Sequence, residues 1–160
     1  MIEVRALLPT DELALVDFFT VLKSDSEALR FFHPHPFDAS AARRIATREA
    51  IRTDCYFGAF EHTAIVGYGM LRGWDEGYDV PAFGVCVAPA ARGRGVASAL
   101  LQWGIAYARA EGSEKMMLKV YPQNVAAVRM YERVGFELSP CPQEPTQMVG
   151  YLDLRPSVTL

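Results

Sequence analysis

The chain has 160 residues, 51% of them apolar, and a net charge of −3 at neutral pH. That is the length of a single domain, residues 1–160, with enough apolar material for a core of its own. The negative balance gives no bulk attraction to nucleic acid or to an anionic membrane, and no apolar run approaches the ~18 residues needed to span a bilayer. Cys55, Cys86 and Cys141, without a Cys-x-x-Cys pair, read as reduced thiols of a cytoplasmic protein. The start, Met1-Ile2-Glu3-Val4-Arg5, is too polar for a signal peptide.

Ile2 to Leu8 is predicted as a strand that Pro9 ends. Thr10 is the expected N-cap of a helix whose apolar stripe is Leu15, Phe18, Phe19 and Leu22. Lys23 to Asp25 breaks it, and a second helical turn runs from Ser26 towards Phe32. In Phe31-Phe32-His33-Pro34-His35-Pro36-Phe37 the prolines hold His33 and His35 extended, giving a stiff aromatic loop. Asp38 caps the next helix, which carries Ala42, Ile45 and Ala46. Cys55–Phe60 and Ala64–Leu71 read as a hairpin turning at Glu61–Thr63. Gly67 and Gly69 share one face of it and leave backbone accessible there.

Trp74 to Asp79 is a loop. Phe83, Val85 and Val87 then alternate with the small Ala82, Gly84 and Cys86 in a strand stopped by Pro89. Val96, Ala97, Leu100, Leu101, Gly104, Ile105 and Ala108 recur at helical spacing. Met116, Leu118 and Val120 mark a strand closed by Pro122. A helix opens at Asn124 and stops at Gly135. Phe136–Leu138 is a short strand, Ser139–Thr146 a connection, and Gln147–Leu154 a final strand, with the last residues loose. The order predicts an α/β sheet of mixed direction with helices on both faces.

Between the Val85–Val87 strand and the Val96 helix lies Arg92-Gly93-Arg94-Gly95. Two glycines allow a tight turn with exposed amides, and the helix start adds free N–H groups and the positive end of a dipole. With two arginines, this suits a di-anion such as a pyrophosphate. The Lys of a nucleoside-triphosphate loop is absent, and Ser98 stands where a dinucleotide loop has its third glycine.

The spacing Arg92-x-x-Gly95-x-Ala97, after a Val-x-Val strand ending in Pro, resembles the acetyl-CoA loop of the GNAT superfamily of N-acetyltransferases. The segment Asn124-Val125-Ala126-Ala127-Val128-Arg129-Met130-Tyr131-Glu132-Arg133-Val134-Gly135-Phe136-Glu137 resembles that superfamily's next block. Together the two cover roughly Val80 to Glu137. The resemblance implies a mixed, mostly antiparallel sheet splayed between its central strands, with acetyl-CoA as co-substrate in the split. It implies that Arg92, Gly93, Arg94, Gly95, Val96, Ala97 and Ser98 hold the pyrophosphate. Backbone at Val85, Cys86 and Val87 would hold the pantetheine arm, with Asn124 reaching the same arm. It implies direct transfer to a primary amine in a ternary complex.

Asn124, Val128 and Tyr131 share one helix face, so Tyr131 is the candidate general acid at the sulfur. A phenol of pKa near ~10 protonates a thiolate of conjugate pKa near ~8.5 at a cost of roughly 2 kcal/mol. Some family members carry a Glu near position 81, where this chain has Pro81. His33, His35, Asp75, Glu76 and Asp79 remain as bases, with His35 the first choice, acting through water. Phe32, His33, His35, Phe37, Trp74, Asp75 and Tyr78 are expected to line an acceptor pocket, with the acidic loop drawing in a cationic amine. The prolines point His33 and His35 apart, so no metal is expected. The leading acceptor is a small-molecule amine such as an amino sugar, taken by a monomer or homodimer. The rivals are a protein or peptide amine, a non-catalytic acyl-CoA sensor, and a nucleotide-binding module that shares only the turn.

Overall fold

The computed structural model describes residues 1–156, and the expectation for the last residues lies, at 157–160, outside the described residues. The strands are β1 (Ile2–Ala6), β2 (Cys55–Glu61), β3 (Ala64–Arg72), β4 (Ala82–Val87), β5 (Lys115–Val120), β6 (Glu137–Pro140) and β7 (Met148–Asp153). They form one sheet in the order β1-β2-β3-β4-β5-β7-β6. All neighbours run antiparallel except β4 and β5, which are parallel and share a single register pair, Ala82 with Met117. The expected splay between central strands is therefore present.

Five helices, α1 (Glu12–Lys23), α2 (Ser26–Phe31), α3 (Ala39–Thr47), α4 (Val96–Ala110) and α5 (Val125–Val134), cover the two faces. The alternation of β3 shows how. Tyr68 and Met70 face a core with Leu15, Phe19 and Leu22 of α1 and Ile45 of α3. Leu71 faces the other core, with Leu100, Leu101 and Ile105 of α4 and Met130 and Tyr131 of α5. Gly67 and Gly69 also face that second core, and their backbone is not left open. A Cβ at Gly67 would lie 2.8 Å from both Val96 and Leu100 of α4, and one at Gly69 would lie 2.4 Å from the Phe57 ring. The glycines let α4, and with it the Arg92–Gly95 loop, sit directly on the sheet.

The first helix starts differently from the expectation at Thr10. Pro9–Asp11 is a 3-10 turn, and the Asp11 carboxylate accepts from the Leu8 N–H at 2.7 Å. The same carboxylate takes both arms of Arg5, at 2.7 and 2.9 Å, so one buried acid joins β1 to α1. The Arg5 hydrogen bond, more than any other influence, holds its pKa below the ordinary carboxylate value. Asp11→Ala should cost about 2 kcal/mol, roughly 6 °C in Tm, read by thermal unfolding at neutral pH. Because the folded pKa is lowered, the deficit is complete above about pH 4 and shrinks as pH falls through the lowered value.

Candidate active site

β4 and β5 touch at their start, where the Met117 N–H donates to the Pro81 carbonyl at 2.9 Å, and then part. Two cavities flank the opening. The smaller, about 390 Å³, is lined by Val85, Cys86 and Val87 of β4 and by Arg92, Gly93, Gly95, Val96, Ala97 and Ser98. Asn124, Ala127 and Met130 of α5 and Glu27, Ala28, Phe31 and Phe32 close it. The larger, about 980 Å³, lies on the β5 side.

The loop of the smaller cavity has the shape its glycines predict. Gly93 and Gly95 hold φ of 75° and 78°, and a Cβ at either would meet nothing within 4 Å. The turn is thus open outward. No side chain caps α4, and its first helical bond runs from the Ala99 N–H to the Gly95 carbonyl. The N–H groups before it belong to residues that line the cradle, at the positive end of a 15-residue helix. This donor set fits a pyrophosphate.

The two arginines are placed differently. Arg94 is not in the lining; it pairs with Glu61 at the end of β2. Arg92 does line the cavity, yet its guanidinium is held by Asp25, the N-cap of α2, and by Glu27 at 2.8 Å. Glu27, exposed at the mouth, competes with an incoming anion for that guanidinium.

Tyr131 is buried in the core, edge-on to Phe136 (5.6 Å) and Phe83 (6.4 Å), and lines neither cavity. Burial pushes its phenol well above the ordinary range, so it stays protonated. Among the described residues the Tyr131 hydroxyl has no hydrogen-bond partner.

The larger cavity takes up some expected acceptor residues and leaves others out. Phe32, His33 and Tyr78 line it, with Glu76 and Asp79. Trp74 does not: it packs on Tyr107 of α4 at 6.2 Å. Asp75 is turned away, accepting from the N–H groups of Arg52, Thr53 and Asp54 and from the Thr53 hydroxyl. It ties its turn to the segment before β2. His35 also lies outside both cavities. Its Nδ1–H donates to the Pro36 carbonyl at 2.7 Å, and its Nε2 accepts from the hydroxyl of fully buried Tyr68 at 2.9 Å. Phe19 and Phe37 pack against the ring, and burial lowers its pKa. A neutral ring with both nitrogens committed is a core hydrogen-bond partner, which corrects the expectation of His35 as base and of His35, Trp74 and Asp75 as substrate contacts.

The sequence reading passed over residues on the outward face of β5. Met116, Leu118 and Val120 mark its core face; the opposite alternation, Met117 and Lys119 continued by Tyr121, walls the larger cavity. Tyr151 of β7, the register partner of Met117, and Arg72 at the end of β3 join it. The same period-two argument applied to the other face finds the β5 residues. Lys119 is paired with Glu144 at 2.7 Å, and Arg72 donates to the Pro34 carbonyl at 3.0 Å. Among the described residues no cluster of His, Cys, Asp or Glu has the makings of a metal site.

A parallel pair that parts beside a glycine turn is the arrangement that the sequence resemblance implies. The sequence pattern of the Acetyltransferase (GNAT) family matches residues 18–136. The chain belongs to that family. Over 90 residues, 54% of its length, it is 36% identical to a mycothiol acetyltransferase of Corynebacterium aurimucosum, covering 29% of that protein. A second, from Thermobispora bispora, is 44% identical over 64 residues and is covered to 22%. The match thus spans less than a third of these relatives. Among solved structures, a Salmonella typhimurium protein determined with its cofactor acetyl-CoA superposes over 100% of this chain and 98% of its own. Its TM-score is 0.77 at 19% identity. An N-acetyltransferase from Staphylococcus aureus Mu50 gives 0.72 at 20%, over 97% and 99% of the two chains.

If Glu27 competes for Arg92, Glu27→Gln should tighten coenzyme A binding by about threefold at low salt, and the gain should fade as ionic strength rises. Isothermal calorimetry at two salt concentrations checks this; equal affinities would show that the pair breaks at no cost.

Proposed function

We propose that this chain, acting as one domain, moves the acetyl group of acetyl-CoA to a primary amine of a small molecule, by direct transfer in a ternary complex. The observation that carries this reading is the junction of the two cavities at Phe31 and Phe32, which line both. A donor cradle and an acceptor chamber that share a wall let an amine approach a thioester without a carrier on the protein. The one thiol in the cradle, Cys86, is unsuited to carry acetyl: burial pushes its pKa up to about 12, so it holds its proton at neutral pH.

In this reading the Gly93–Ser98 amides and Arg92 hold the pyrophosphate, while β4 backbone from Val85 to Val87 and Asn124 hold the pantetheine arm. Acetyl-CoA supplies the activated acyl carbon. Tyr131 gives its phenolic proton to the leaving sulfur. The aromatic and charged lining of the larger cavity (Phe32, Tyr78, Tyr121, Glu76, Asp79) suits a polar amine with apolar surface, and an amino sugar is the first class to test. The resemblance to enzymes named for mycothiol supports a small-molecule acceptor. The three free cysteines and the net charge of −3 support a reaction in the cytoplasm with no nucleic-acid or membrane partner; a monomer or homodimer is the proposed assembly. No described helix is long and apolar enough to cross a membrane.

Thiol release from acetyl-CoA should be followed over a panel of amino sugars, polyamines, aromatic amines and peptides. One amine class should drive it. Tyr131→Phe should lower kcat by about 100-fold and leave acetyl-CoA affinity within about threefold. Release driven by peptides alone would replace the small-molecule acceptor with a protein one, and binding without release by any amine would favour a sensor.

A further inference from the structure

We infer that His33 is the general base that takes the proton from the acceptor ammonium, its Nδ1 receiving it; this rests on the acetyl-transfer reading above. His33 follows Phe32, the side chain shared by both cavities, and itself lines the larger one. Its Nε2 is hydrogen-bonded to the Leu29 carbonyl in the last turn of α2. A carbonyl only accepts, so the hydrogen sits on Nε2 and the lone pair of the neutral ring sits on Nδ1. Among the described residues Nδ1 has no hydrogen-bond partner. Tyr121 meets the ring edge-on at 6.2 Å, and Arg72 holds the next residue by its carbonyl at 3.0 Å. The ring is thus held by Leu29 and Tyr121 with its backbone anchored through Pro34, and its one free basic atom belongs to a residue walling the acceptor chamber.

The neighbouring groups are poorer candidates. His35 has both nitrogens committed. Glu144 is bound by Lys119 and Gln147. Glu76 and Asp79 also line the chamber, but neither adjoins Phe32, the side chain shared by both cavities.

The step balances. One ammonium proton passes to Nδ1 of His33, and the freed nitrogen lone pair forms the C–N bond at the acetyl carbonyl as the C–S bond breaks. Tyr131 gives its proton to sulfur and regains one from the second N–H of the amine, and His33 releases its proton to water. Ammonium and thioester become amide, thiol and one proton.

The test uses the amine that drives release by the full-length protein. His33→Gln keeps an N–H for the Leu29 carbonyl but has no basic nitrogen. It should lose 100- to 10,000-fold in kcat with acetyl-CoA affinity unchanged by calorimetry. His33→Ala should be equally slow and be rescued by free imidazole in proportion to its concentration. With 15N-histidine labelling, NMR should show His33 as the Nε2–H tautomer, its Nδ1 resonance moving when the amine is added while that of His35 does not. Activity of His33→Gln within about threefold of wild type, failure of imidazole to rescue, or an Nδ1–H tautomer would each overturn the assignment and leave acetyl transfer standing. If wild-type protein binds acetyl-CoA and acetylates no amine, it is the acetyl-transfer reading that falls.

Discussion

The structure depends on a sheet that is closed at one point and open beyond it. Ala82 and Met117 are the last paired residues of β4 and β5, and the Met117–Pro81 hydrogen bond fastens that point. On its other edge β4 is fully paired, Val85 opposite Gly69 and Val87 opposite Gly67. From Gly84 to Val87 no described strand pairs with the edge facing β5. Backbone N–H and C=O groups in the middle of a protein need partners, so this edge must meet water or a ligand with amides of its own. A pantetheine arm is such a ligand. The open strand edge, the gap and the walls of α2 and α5 are consequences of one departure from regular pairing.

Charge at the cradle is arranged as a competition. Asp25 caps α2 through the Glu27 N–H and holds Arg92 with the same carboxylate. The short helix that walls both cavities is therefore fastened to the arginine that lines the smaller one. The amides of the α4 start have no such competitor. They are fixed donors, and the guanidinium is a conditional one, so affinity for a di-anion rests first on backbone geometry.

Local chemistry was legible in the sequence, and long-range partnership was not. The Gly93–Gly95 turn, the alternation of β4 and the Asn124-to-Gly135 helix are each specified by residues within one or two turns of one another, and the structure places them as expected. His35 and Asp75 were misplaced for the opposite reason. The partner that consumes His35 is Tyr68, 33 residues away, and those of Asp75 lie 21 to 23 residues back. Two histidines each followed by a proline look equivalent in sequence; a buried tyrosine hydroxyl in need of an acceptor makes one structural and leaves the other facing the chamber. Lys119 and Tyr121 were missed because β5 was read for its core face alone.

Burial also bears on how Tyr131 would work as the proposed acid. Tyr131 and Cys86 both have their pKa raised by desolvation, one on α5 and one on β4. Taken alone, a raised phenol is a weaker acid for a thiolate than the roughly 2 kcal/mol offset in water implies. The thiolate that leaves coenzyme A between β4 and α5 would stand in the same poorly solvated space, and desolvation raises a thiol as it raises a phenol. The offset that matters is the difference between the two, which shared burial largely preserves. A single dry wall thus keeps Cys86 protonated and, in the proposed reaction, would keep Tyr131 protonated until the departing sulfur, a slightly weaker base held in the same dry space, stands beside it.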